Sequence, residues 1–194
     1  MEKTVIKSRM TARTAGFFII AGALTLLFEA ARIFYGTATL ALSDRRIDKQ
    51  SIWLAVGTWI LLFTGRYISL SLYAKLEKRF VLISLAGLFC YTIGSIMIAL
   101  DYWGLIYIVP LGLLITSIGL VIEGIWILRT TSMKTWLNLA PALTGLYPLL
   151  LMFPTVVIYG HPNYLTNYLW GLAWLLLGFY TLRVGGLIGL SRHA

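Results

Sequence analysis

Hydrophobic positions along the chain do not alternate with polar ones. They gather into long apolar runs, separated by short polar or aromatic stretches. From Thr135 to Leu182 there is no Asp, Glu, Lys or Arg. A helix needs roughly 20 apolar residues to cross a hydrocarbon core of about 30 Å. That stretch, interrupted by "YGHPNYLTN", therefore reads as two spans and a turn. The same reasoning along the whole chain predicts six transmembrane helices, near 14–35, 52–74, 80–100, 105–128, 137–159 and 167–184. The links are short, so successive helices are expected as antiparallel neighbours. The fold class is all-α: a polytopic membrane protein forming a single domain over 1–194. A short tail (1–13), an outer loop (36–51) and a C-terminal tail (185–194) flank the spans. The start of the chain has a basic, then apolar, then small-residue order like a secretory signal. It is read as a retained span, because it has counterparts further along.

Those counterparts form an internal repeat. The second, fourth and sixth spans contain "GTWILLFTG", "GLLITSIG" and "GLAWLLLG", with glycine pairs Gly57/Gly65, Gly112/Gly119 and Gly171/Gly178. The span before each ends in an aromatic–glycine turn, "FYG", "YWG" or "YG". The chain thus reads as three tandem helical hairpins with a period of about 55–60 residues, near the range in which repeats dictate architecture. Small residues let helices approach closely where lipid removes the hydrophobic drive to associate. The six glycines are therefore expected at helix contacts.

Composition agrees with this class. Of 194 residues, 59% are hydrophobic and 12% charged, and the mean hydropathy is +0.85. Soluble domains carry about 25% charged residues. The net charge of +9 could suggest nucleic acid, but the basic residues flank apolar runs and no nucleic-acid motif is present. Lys3, Lys7, Arg9, Arg13, Lys75, Lys78, Arg79, Arg129, Lys134, Arg183 and Arg192 fall on one side of the spans. Only Arg45, Arg46 and Lys49, beside Asp44 and Asp48, fall on the other. The positive-inside rule then makes both termini cytoplasmic in a cell (inner) membrane.

Candidate chemistry is sparse. His161 and His193 are the two histidines and Cys90 the single cysteine, too few and too dispersed for a metal or haem site. No phosphate loop, dinucleotide fingerprint or nucleophile elbow occurs. No catalytic residue, metal or cofactor is assigned, and no enzymatic activity is expected. Ionisable residues inside spans are the stronger lead, since each is costly to leave unpaired. Glu29 and Arg32 lie three apart on one helical face near the outer end of the first span, a candidate self-paired couple. Arg66 lies about 12 Å and Glu123 about 8 Å from the inner ends of their helices, counted at 1.5 Å per residue. An arginine side chain spans that difference, so Arg66 and Glu123 form the candidate intramembrane ion pair. Pro141, Pro148 and Pro154 mark the fifth span. The latter two each free a carbonyl one turn earlier. Aromatics near the outer turns, among them Trp53, Tyr102, Trp103, Tyr107 and Trp170, read as an interfacial belt.

The glycine-framed helices, with "LGLLITSIGLVIEG" as their fullest form, resemble the HdeD-like family of small bacterial inner-membrane proteins. Length, six spans and tandem hairpins share in that resemblance. It implies a role in acid-stress survival and brings no catalytic residues. The outer loop "SDRRIDKQ" and the intramembrane Arg66 depart from that family's pattern. The expected function is structural or stress-related, without chemistry of its own. The alternative is solute binding or transport, by similarity of topology to the six-helix substrate-binding subunits of vitamin transporters. Expected partners are the lipid bilayer and another copy of the chain or another membrane protein; the alternative adds a small-molecule ligand. No nucleic acid is expected.

Overall fold

The computed structural model describes the backbone of residues 2–39, 49–73, 77–130, 135–159 and 164–191, and the side chains of 8–28, 30–31, 53–73, 78–130, 135–155, 157–158 and 170–183. All regular structure among the described residues is helical. The helices are α1 (Glu2–Thr39), α2 (Lys49–Ser69), α3 (Glu77–Ala99), α4 (Ile108–Thr130), α5 (Ala140–Tyr147), α6 (Phe153–Tyr159) and α7 (Tyr164–Ser191). Five stretches are long and apolar enough to cross a membrane: Ser8–Phe28, Trp53–Leu72, Lys78–Ala99, Trp103–Thr130 and Trp136–Thr155. α7, with 28 residues, is the remaining long helix, and Arg183 is its sole charged residue. The chain is a helical, multi-pass membrane protein.

Helix boundaries differ from the sequence expectation at the ends. Residues 2–13, expected as a tail, form the first turns of α1, and 36–39 of the outer loop form its last turn. At 38 residues, α1 is about 57 Å long and exceeds the hydrocarbon core. Basic residues do not break helices, so the charged flank continues the helix that the apolar run begins. α7 likewise runs to Ser191, through most of the expected C-terminal tail, although that segment carries Gly185, Gly186 and Gly189 and no basic residue.

The fifth span is divided. α5 ends where Pro148 begins a π-helical turn, Pro148–Met152, and α6 follows. Pro148 cannot donate to the carbonyl of Thr144, four residues earlier. That carbonyl accepts instead from Trp170 Nε1 of α7 at 3.1 Å. Thr144 Oγ lies 2.7 Å from the Ala140 carbonyl and 2.9 Å from that of Ala173. The break is thus satisfied by a neighbouring helix, as a low-dielectric surrounding requires. Trp170 is buried, at 1% exposure. It is not part of the outer aromatic belt to which the sequence assigns it, because the proline-freed carbonyl supplies its indole with an interior acceptor. Trp53, Tyr102, Trp103 and Tyr107 are exposed.

Packing follows chain order and then closes. α1 packs on α2, α2 on α3, α3 on α4, α4 on α5, α5 on α7, and α7 returns to α1. The α5–α7 contact is the loosest of the three hairpins, and α7 packs more extensively on α1. Small residues let α1 sit closely between α2 and α7: Ala12, Ala15, Gly16, Gly22 and Ala23 are buried, together with the larger Ile19 and Leu26. Inside α1, Trp59 of α2 meets Trp170 at a ring-centroid distance of 5.1 Å and Tyr91 of α3 at 4.2 Å. Trp170 also meets Trp174 at 5.9 Å.

Five of the six predicted glycines lie at helix contacts. The α3–α4 seam shows why. A Cβ on Gly112 would stand 2.5 Å from Tyr91 N and 2.7 Å from Gly87 O, both backbone atoms that cannot yield. Gly119 meets Ser84 of α3, Gly65 meets Ala15 and Ile19 of α1, and Gly171 and Gly178 meet α1 at Leu27 and Ile20. Gly57 is the correction: a Cβ there would meet nothing within 4 Å. The repeat motif is present at Gly57, but among the described residues no helix approaches it that closely. Span hydroxyls mostly return to the carbonyl four residues earlier, as at Thr92, Ser95, Thr116, Ser117 and Thr181.

Candidate functional site

Arg66 occupies the last turn of α2, directly after Gly65. Gly65 presses against α1, so the next residue is turned about 100° away, toward α3 and α4. Its side chain is fully buried. Glu123 lies on α4, one turn after Gly119, and is 2% exposed. The tight Gly119–Ser84 approach brings α3 against α4 at this depth and sets Ser84 Oγ beside the same place.

These residues form one connected network. Arg66 Nη1 donates to Glu123 Oε1 at 3.3 Å, and Nη2 donates to Glu123 Oε2. The pair is therefore bidentate, the geometry in which a guanidinium matches a carboxylate. Arg66 Nη2 also donates to Ser84 Oγ at 3.1 Å, while Ser84 Oγ donates to the Val81 carbonyl at 2.9 Å. Tyr73 Oη donates to Glu123 Oε1 at 2.8 Å. Three helical segments and the end of α2 thus share one ion pair.

The end of α2 aims Tyr73 at it. Ser69 Oγ donates to the Arg66 carbonyl at 2.7 Å, which competes with helix continuation. The chain tightens to a 3-10 turn at Leu70–Leu72, and Tyr73 leaves it extended, with φ −91° and ψ 149°. The ring then packs among Ala12, Leu72, Val81 and Leu85. Tyr73 and Ser84 have no sequence signature as partners of an ion pair. The available signal was position: Tyr73 lies seven residues after Arg66, two helical turns along the same face.

A buried carboxylate whose two oxygens both accept, held by a guanidinium that forks onto them, is a fixed joint. It holds α2 to α4, helices that are not adjacent in the packing order. Four buried donors have no acceptor among the described residues: Arg66 Nε, Trp126 Nε1, Tyr147 Oη and Trp174 Nε1. Cys90 is half-buried on α3. The side chains of Glu29, Arg32, His161 and His193 lie outside the described residues, although the backbone of α1 passes through Glu29 and Arg32 as helix. No protein-family model, no curated protein and no solved structure matches this chain.

Proposed function

We propose that the protein is a non-catalytic, structural membrane protein, a compact helical element of the bilayer with no reaction of its own. The observation that supports this best is the closure of the Arg66–Glu123 network. Arg66 and Glu123, the intramembrane charges among the described residues that a transporter or enzyme could offer to a ligand, are engaged with each other and with Tyr73 and Ser84. A stress-related role in the inner membrane, as the HdeD-like resemblance implies, is compatible with such a body. Small-molecule binding is the competing reading, and the unpaired Tyr147 Oη and Trp174 Nε1 favour it. Native mass spectrometry of the detergent-extracted protein separates the two. The structural reading expects no bound solute other than lipid. A stoichiometric non-lipid ligand lost on Trp174→Phe would overturn it.

The orientation belongs to the same proposal: a multi-pass protein of the cell membrane with both termini in the cytoplasm. Support comes from the charge bias alone. The exposed Arg9, Arg13, Lys78, Arg79, Arg129 and Arg183 gather at one end of the antiparallel bundle. Single cysteines at positions 48 and 163, in a Cys90→Ala background, are expected to react with an impermeant maleimide added to intact cells. One at position 132 is expected to react only after permeabilisation. Labelling of position 132 in intact cells would reverse the orientation.

A further inference from the structure

The seam between α1 and α7 has an exposed side that carries a basic residue from each helix above an apolar strip. The helices run antiparallel, with Gly16 against Leu182 and the Gly178 carbonyl, Gly178 against Ile20, and Gly171 against Ala23 and Leu27. This register sets Arg13 level with Arg183, Phe17 level with Phe179, and Leu24 level with Leu172. In two antiparallel helices that face each other, the residue after each contact position turns to the same side of the seam. Phe17 follows Gly16 and Phe179 follows Gly178. Both are exposed, at 69% and 47%. The residues before the contacts, Ala15 and Leu177, are both wholly buried, which confirms the sidedness. Arg13 and Arg183 each lie one turn from their phenylalanine on the same face, and both are exposed. Leu24 and Leu172 continue the exposed strip.

We infer that this groove binds one anionic phospholipid. Its phosphate lies between Arg13 and Arg183, and its acyl chains lie along Phe17, Phe179, Leu24 and Leu172. Two features of the groove select that occupant. One is length. From position 13 to position 24 the helix rises about 16 Å, half of a hydrocarbon core of about 30 Å, so the groove runs the depth of one leaflet. The other is charge. No acidic residue occurs in 8–28 or 170–183, and Arg9 stands a further turn toward the basic end of α1, also exposed. Arginine forks fit phosphate oxygens with paired hydrogen bonds. The small residues at Gly16, Gly171 and Gly178 draw the helices together, which brings the two arginines onto one headgroup.

The test uses the full-length protein in a nonionic detergent, with phosphatidylglycerol or phosphatidylcholine added as mixed micelles and thermal unfolding as the readout. Phosphatidylglycerol is expected to raise the melting temperature saturably, and phosphatidylcholine to raise it much less. Each arginine near a membrane surface contributes about 1 kcal/mol toward an anionic lipid. Arg13→Gln/Arg183→Gln should therefore bind phosphatidylglycerol roughly thirty-fold more weakly. Lys78→Gln/Arg79→Gln, at the same end on α3, should leave the affinity unchanged. Phe17→Ala/Phe179→Ala should weaken binding of both lipids. Equal stabilisation by the two lipids would overturn the proposal. So would equal loss in the arginine and Lys78/Arg79 variants, or the same shift from inorganic phosphate alone. A dimer that dissociates on Phe17→Ala/Phe179→Ala, regardless of lipid, would assign the groove to a second copy of the chain instead.

Discussion

Glu123→Leu is expected to destabilise the folded protein by about 3–5 kcal/mol, because it leaves a buried arginine without its counter-charge. Arg66 would keep Ser84 alone as a side-chain acceptor. For a chain of this size the melting temperature in detergent should fall on the order of 10 °C. Arg66→Leu should cost less, since Glu123 keeps the Tyr73 hydroxyl as a donor. The double variant Arg66→Leu/Glu123→Leu should be more stable than Glu123→Leu. It buries neither charge, and replacing a whole buried pair with apolar groups is often neutral. Strictly additive losses across this cycle would show that the two side chains do not depend on each other. Arg66→Lys is expected to fall between wild type and Arg66→Leu, because an ammonium cannot fork onto both carboxylate oxygens.

The second large effect belongs to the glycine seam between α3 and α4. Gly112→Ala is expected to cost about 1–3 kcal/mol, the range for forcing extra volume into a well-packed contact. The new methyl would press on Tyr91 N and Gly87 O, and only separation of the two helices relieves that. Gly87→Ala/Gly112→Ala, with Gly87 pressing on Thr116 N, should be worse. Gly57→Ala is the contrast. Among the described residues nothing stands within 4 Å of its new methyl, and alanine favours helix by up to about 1 kcal/mol over glycine. That variant should be as stable as the parent or more so. Thermal unfolding of the three variants in one detergent decides the matter. If Gly57→Ala and Gly112→Ala lose stability equally, glycine in these helices serves something other than close approach.

The same contrast shows what the amino-acid pattern can convey. Gly57 and Gly112 carry the same sequence signature, yet among the described residues only Gly112 meets a close neighbour. Proline chemistry was more legible. Pro148 named the carbonyl it would free, that of Thr144, but not the group that would satisfy it. Trp170 was read from its position near a turn, whereas its burial depends on a partner 26 residues away. The ion pair was legible from depth alone. Two opposite charges in parallel-running helices, separated by less than an arginine's reach, have few other ways to be satisfied in hydrocarbon.

The sequence by itself determined the class, the place of each long helix though not its ends, and the identity of the Arg66–Glu123 pair. These follow from one-dimensional quantities: run length against bilayer thickness, and axial depth at 1.5 Å per residue. Only the tertiary structure decided which helices touch. It closed α7 onto α1, seated α1 between α2 and α7, and left Gly57 without a close neighbour among the described residues. It also recruited Tyr73 and Ser84 to Glu123. The physical reason is that lipid is as apolar as leucine, so a membrane helix has no hydrophobic face that dictates its rotation. Rotation is settled by close backbone approach and by buried polar groups finding partners, and both are properties of pairs of helices.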